Sequence, residues 1–236
     1  MNSDSHCKQL GSRSRLAKPE LVLIDLDGTL VDSVPDLAYC VDQMLPRLGL
    51  PPRGEAAVRN WVGNGVDKLI QRAIGNALNP EVDEALFLQG QKLFTELYLE
   101  NNSKRSRLYP GVMEALVWLT ENDYAVGCVT NKAEKFTLPL LESLQIKDYF
   151  SIVVAGDTLA EKKPHPQPLL HAASVLGARP EHSLMVGDSR HDVKAARAAG
   201  FQAMCVSYGY NHGEDIREAG PDIVVDRLDE IIKLIG

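Results

Sequence analysis

Directly after the apolar run Leu21–Ile24, the chain reads Asp25-Leu26-Asp27-Gly28-Thr29-Leu30-Val31-Asp32-Ser33. Carboxylates can serve as nucleophiles, acids or bases. If the run is a strand that ends at Asp25, with Gly28 supplying the freedom to turn, Asp25 and Asp27 can approach one site. Three further groups follow later apolar runs. Thr130-Asn131-Lys132 follows residues 125–129, and Lys162-Lys163-Pro164-His165-Pro166-Gln167-Pro168 comes after 152–155. Gly187-Asp188-Ser189-Arg190-His191-Asp192 follows 184–186. Each has a bland reading: an Asx-Gly turn, a helix-capping Thr130, a solvated Lys163, and Asp188 and Asp192 at the start of a helix. Together they put a carboxylate pair, a hydroxyl, a cation and a second carboxylate pair after four runs of the same kind.

These groups meet only if the runs are strands of one parallel sheet, where ligands bind beyond the carboxyl ends. The runs 21–24, 125–129, 152–155, 184–186, 203–206 and 223–225 are short, mostly β-branched and not alternating, as strands covered on both faces should be. Helical patterns at 112–120, 134–144, 167–176 and 193–199 lie between them, with Gly177 and Gly200 as stops. This alternation predicts an α/β fold: a Rossmann-like parallel sheet with helices on both faces and right-handed crossovers. From Leu30 to about Leu108 the pattern changes to helices only. Leu37, Cys40, Val41, Met44, Leu45 and Leu48 form one stripe; Val66, Leu69, Ile70 and Ala73 form another; residues 85–99 give a third. The predicted organisation is a tail at 1–19, a core at 20–30 and 108–236, and an all-helical cap at 31–107 inserted after the first strand. Boundaries fall near 49–54 and 101–107.

The 236 residues suit one large domain carrying a smaller one, and 44% hydrophobic residues can fill a core. The net charge of −7 argues against nucleic acid as a partner. No apolar run approaches a membrane span. Residues 1–19 are polar, without the apolar centre of a secretory signal, and read as a disordered tail. Cys7, Cys40, Cys128 and Cys205 are widely spaced, which fits free thiols in a reducing cytoplasm. Nothing in the sequence sets an oligomeric state.

Aspartate-x-Asp-Gly-Thr, then Thr or Ser, then Lys, then Gly-Asp-x-x-x-Asp resembles the four-motif signature of haloacid dehalogenase-like phosphatases. The motifs map onto Asp25 and Asp27, Thr130, Lys163, and Asp188 with Asp192. A closer resemblance, to bacterial phosphoglycolate phosphatases, rests on Asp32-Ser33-Val34-Pro35-Asp36-Leu37, Trp61-Val62-Gly63-Asn64-Gly65, Val129-Thr130-Asn131-Lys132 and Tyr208-Gly209-Tyr210-Asn211. Ala133 departs from that group, which often has Pro there, and should loosen a helix start.

The resemblance implies a Mg²⁺-dependent phosphatase acting through an aspartyl-phosphate. Asp25 is the expected nucleophile and Asp27 the acid and then base. Thr130, Asn131 and Lys163 are expected at the phosphate. Asp25, Asp188 and the Asp27 backbone carbonyl should ligate the metal, with Asp192 in its outer shell. The second aspartate favours oxygen-linked phosphate over a halide. The substrate is then a small phosphorylated metabolite, 2-phosphoglycolate first. Alternatives are a sugar-phosphate or nucleotide phosphatase, a phosphomutase, or a non-enzymatic regulatory subunit. Lys68 and Arg72, one helical turn apart, read as solvated charges or as a pair for a substrate carboxylate. His165 and His191 read as surface or packing residues, Trp61 as core. Gly63-Asn64-Gly65 is a loop expected to face the site.

Overall fold

The computed structural model describes residues 16–236. Of the expected tail, residues 1–15 lie outside the described residues. The next ones are tied down: Leu16 is buried, and Ala17 exchanges hydrogen bonds of 2.8 and 3.1 Å with the Gln202 side chain.

In chain order, β1 (Leu21–Ile24) and β2 (Val31–Asp32) are followed by α1 (Val34–Arg47), α2 (Glu55–Arg59), α3 (Val66–Gly75) and α4 (Glu84–Asn101), then β3 (Arg107–Leu108). The rest alternates: α5 (Val112–Glu121), β4 (Ala125–Val129), α6 (Glu134–Ser143), β5 (Ile152–Val154), α7 (Gln167–Leu176), β6 (Ser183–Gly187), α8 (Arg190–Ala199), β7 (Gln202–Val206), β8 (Ile223–Val225) and α9 (Ile231–Ile235). Six strands form a sheet in the order β5-β4-β1-β6-β7-β8, each neighbour parallel. This is the α/β architecture predicted from the alternation.

Within β1, Val22 and Ile24 pack with α5, α6 and α9 on one face, while Leu21 and Leu23 pack with α7 and α8 on the other. Period-two geometry splits a continuous apolar run in this way. Strand order reverses about β1: the chain moves to β4 and β5 on one side, then to β6, β7 and β8 on the other. The carboxyl ends of β4, β1 and β6 therefore frame the switch-point crevice.

Between residues 30 and 108 the expectation of helices alone is corrected. A two-residue antiparallel ribbon, β2 with β3, closes the base of the insertion, Val31 opposite Leu108 and Asp32 opposite Arg107. So short a ribbon has no periodicity to read; it exists because both connections leave the core side by side. The four helices share a cluster built from Val34, Leu37, Val41, Met44, Val58, Leu69, Ile70, Phe94 and Tyr98, onto which the core lends Phe136 and Tyr210. α8 begins three residues before its predicted start, because Ser189 and Asp192 form a reciprocal capping box. α6 starts at Glu134 despite Ala133, with Asp157 accepting from the Glu134 amide at 2.8 Å. No described helix is long and apolar enough to cross a membrane.

Asp36 joins the insertion's two connections. Its carboxylate, fully buried in the first turn of α1, accepts from the backbone amides of Arg105 (3.0 Å) and Ser106 (2.8 Å), the Ser106 hydroxyl (2.7 Å) and the Arg105 guanidinium (3.3 Å). Asp36→Ala strands the buried amide and hydroxyl of Ser106 and frees the Arg105 donors, and a denaturant titration should read a loss of about 3 kcal/mol.

Candidate active site

Each core motif sits at a strand end. Asp25 follows β1 and donates its amide to the Val186 carbonyl of β6 at 2.9 Å. Thr130 follows β4 and Asp188 follows β6. Lys163 arrives from the loop after β5 and is 3% exposed. Its ammonium lies 2.8 Å from Asp25 Oδ1, 2.7 Å from Asp192 Oδ1 and 2.7 Å from the Val129 carbonyl. Three acceptors match its three protons.

Gly28 makes the first turn possible. It sits at φ +89°, and a Cβ there would fall 2.3 Å from Asp188 Oδ2. The turn thus lets the 25–29 backbone lie against Asp188, whose Oδ1 accepts from the Thr29 hydroxyl at 3.0 Å and whose Oδ2 accepts from the Tyr210 amide at 2.5 Å.

One oxygen from each of Asp25, Asp188 and Asp192 lies within 4.8 Å of the others. Burial, opposed by Lys163 and reinforced by Asp192, pushes Asp25 up to about 7. Burial again, followed by the charges of Asp192 and Asp25, holds Asp188 well above the usual carboxylate range. For Asp192 burial works in the same direction, but Lys163 and Ser189 outweigh it and hold that carboxyl low. Burial works against the charge of Lys163 and is outweighed by Asp192 and Asp25, so its pKa is raised. Three carboxylates face one ammonium, which leaves two negative charges uncompensated. A hard divalent cation fits such an oxygen set in charge and chemistry. Asp192 spends Oδ1 on Lys163 and Oδ2 on the Ser189 amide and hydroxyl, leaving Asp25 and Asp188 as the better-placed ligands.

The Asp27 carboxylate stands apart from this trio. Both its oxygens accept from Lys132 Nζ, at 3.0 and 3.1 Å, and the same ammonium lies 2.6 Å from the Tyr98 hydroxyl of α4. Lys132 carried no separate assignment in the sequence, although it sits in the Thr130-Asn131-Lys132 motif; its burial, 4% exposed, comes from α4 covering it. Thr130 Oγ1 accepts from the Lys132 amide at 3.2 Å, which leaves its own proton free to donate. The Asn131 amide nitrogen is engaged by the Gly63 carbonyl at 3.2 Å and the Lys163 carbonyl at 3.0 Å, so it ties loops together.

Asp25, Asp27, Thr130, Asn131 and Lys132 line one cavity with Leu37, Val62, Gly63, Gly65, Val66 and Leu69 from the insertion. The empty space it encloses, including its open mouth, is about 420 Å³. Arg72 is not a solvated charge and is not among the residues lining this cavity: it is buried and donates to the Leu78 and Trp61 carbonyls at 2.9 and 2.6 Å, while Lys68 is exposed. Trp61 is core and His165 is exposed. His191 joins the two parts of the molecule, its Nε2 lying 2.8 Å from Asn64 Nδ2, and burial lowers its pKa.

The sheet order, the four strand-end motifs and the buried acidic trio together define a hydrolase of the haloacid dehalogenase type. The haloacid dehalogenase-like hydrolase family model matches residues 22–206, and the chain belongs to that family. A phosphoglycolate phosphatase of Nitrosococcus oceani is 61% identical over 221 residues, covering 94% of this chain and 98% of the relative. One of Nitrosospira multiformis is 45% identical, covering 91% and 94%. Among solved structures, a protein described as a predicted phosphoglycolate phosphatase from Haemophilus somnus 129PT superposes with a TM-score of 0.88 at 38% identity, covering 93% of this chain and 99% of that one.

Gly65 borders the cavity at φ +88°, where an added Cβ would lie 3.4 Å from the Asn131 carbonyl and 3.5 Å from Lys162 Nζ. Gly65→Val strains the loop and narrows the entrance. Steady-state kinetics with any phosphate ester that enters here should show KM raised and kcat/KM lowered by about tenfold or more.

Proposed function

We propose that this chain is a Mg²⁺-dependent phosphomonoester hydrolase that converts 2-phosphoglycolate to glycolate and phosphate. The observation that carries the reading is the Asp25 carboxylate: one oxygen is held by Lys163 and the Leu26 amide, the other has no hydrogen-bond partner among the described residues, and Asp25 lines a cavity that Asp27 also lines. The names of the relatives support the substrate. Buried free thiols at Cys40, Cys128 and Cys205 support a cytoplasmic setting.

The free oxygen of Asp25 attacks phosphorus, the bond to the glycolate oxygen breaks, and Asp27 gives that oxygen a proton. Asp27 then takes a proton from the water that attacks the aspartyl-phosphate, releasing phosphate and restoring Asp25. The Thr130 hydroxyl donates to a phosphate oxygen and the Lys163 ammonium supplies positive charge beside it, offsetting the charge that would otherwise repel the nucleophile. Asn131 holds the Lys163 loop against the insertion. Asp25, Asp188 and the Asp27 backbone carbonyl would hold Mg²⁺, with Asp192 fixing their surroundings through Lys163. Bound there, Mg²⁺ supplies positive charge to the phosphate and the carboxylates. Residues 31–107 act as a cap that opens to admit substrate and closes to exclude water.

A screen of phosphomonoesters tests the reading. 2-Phosphoglycolate should rank among the best, excess chelator should abolish turnover, and Asp25→Asn should lower kcat by about a thousandfold or more. Wild-type rates in chelator, or an active Asp25→Asn protein, would overturn it.

The site carboxyls also set a pH dependence. In the metal-free folded protein Asp25 and Asp188 keep protons that the unfolded chain has released, so their contribution to stability is complete below the ordinary carboxylate range and is lost as pH rises through their raised folded pKa values, about 7 for Asp25. Asp192 contributes the opposite way, losing its part only in acid. Metal binding must displace the held protons. The increase in Tm on adding Mg²⁺ should therefore be larger at about pH 8 than at about pH 5. Equal shifts would show that Asp25 and Asp188 do not hold the ion.

A further inference from the structure

We propose that Lys132 is the specificity-determining residue that receives the carboxylate of the substrate, with Tyr98 of α4 holding its ammonium in place. The inference rests on the 2-phosphoglycolate reading and concerns how that substrate is told from other phosphate esters.

The substrate brings a phosphate dianion and, one methylene from the leaving oxygen, a carboxylate. The phosphate has Lys163, the Thr130 hydroxyl and the ion that the acidic trio would hold. The carboxylate needs a cation of its own. Lys132 is the only cationic side chain among the residues lining the cavity, where Leu37, Val62, Val66 and Leu69 otherwise present apolar surface. A carboxylate placed against those groups with no partner would carry the full cost of desolvation.

Lys132 Nζ lies 3.0 Å from the Asp27 carboxylate, the group the leaving oxygen must touch. A leaving oxygen in contact with Asp27 therefore brings a carboxylate one methylene away within reach of Lys132. Burial of the ammonium strengthens that attraction.

The lysine is also held in place. Its amide donates to Thr130 Oγ1, and its carbonyl accepts from the Gly156 amide at 2.8 Å and the Thr137 hydroxyl at 3.1 Å. Tyr98, fully buried, packs between Phe94 and Phe136 with ring centroids at 5.3 and 4.9 Å, so its hydroxyl is a fixed acceptor for Nζ. Because Tyr98 belongs to α4, the cation is placed jointly by the core and the insertion.

The test compares 2-phosphoglycolate with ethyl phosphate. Both leave as an alkoxide that needs a proton, so any disturbance of Asp27 affects both; only one carries a carboxylate. Lys132→Met keeps the length of the stem and removes the charge. The preference for 2-phosphoglycolate, as a ratio of kcat/KM values, should fall by about 30-fold or more, chiefly through KM. Tyr98→Phe keeps the charge and loses its anchor, and should lower the same ratio by about threefold; it serves alone if the lysine variant does not fold. A ratio unchanged in the folded variants would overturn the assignment and leave Lys132 as a partner of Asp27, with the carboxylate read by backbone amides at Gly63–Gly65. A wild-type protein with no preference between the two esters would instead overturn the substrate reading.

Discussion

The ammonium of Lys163, between Asp25 and Asp192 and capped by the Val129 carbonyl, is the interaction on which the site depends. Three carboxylates cannot be gathered inside a protein without compensation, because burial and mutual repulsion both favour their neutral forms. One buried cation offsets part of that cost and leaves two charges for a divalent ion. The same bond links three strand ends: the Lys163 loop follows β5, Asp25 follows β1, and Asp192 lies in the first turn of α8 beyond β6. Sheet order comes first in this account, since only a reversal of winding about β1 brings those ends to one crevice.

The two buried lysines divide the work. Lys163 belongs wholly to the core and answers to the acidic trio. Lys132 is shared, fixed through its backbone beside Thr130 and through its ammonium by Asp27 and a tyrosine of the insertion. Chemistry common to many phosphate esters needs only the first. Whatever distinguishes one ester from another has to act where the insertion contributes surface, and Lys132 stands at that boundary.

Strand-end chemistry was legible in the sequence because it is local: an apolar run followed at once by Asp25, Thr130 or Asp188 states both the element and its end. Asp192 was legible as the last carboxylate of its motif, and its capping of Ser189 explains why α8 starts before its apolar pattern does. The β2–β3 ribbon was not legible, since two residues carry no period and the pairing joins residues 77 and 75 positions apart, Val31 with Leu108 and Asp32 with Arg107. Lys132 and Arg72 were hidden for a related reason. Most lysines and arginines are solvated, and only the packing of α4 over one, and the carbonyls of Leu78 and Trp61 around the other, make them interior.

The contacts between insertion and core differ in quality from those at its base. At the base the Asp36 carboxylate has four donors, and Tyr210 Oη meets the amides of Ser33 and Val34 and the carboxylate of Asp32. Across the cleft lie the bonds of Asn64 to His191, Asn131 to the Gly63 carbonyl, His212 to the Asn60 carbonyl at 2.9 Å and Lys132 to the Tyr98 hydroxyl, with Asn102 Nδ2 donating to the Phe136 carbonyl at 2.5 Å. Asn64 Oδ1, Asn131 Oδ1 and His191 Nδ1 are buried there without a hydrogen-bond partner among the described residues. Separating the two surfaces gives each of these atoms access to water, which offsets in part the bonds lost. Separating the base gives no such return. The densest polar contacts of the insertion are therefore at its base, the distribution that the proposed opening and closing of the cap requires.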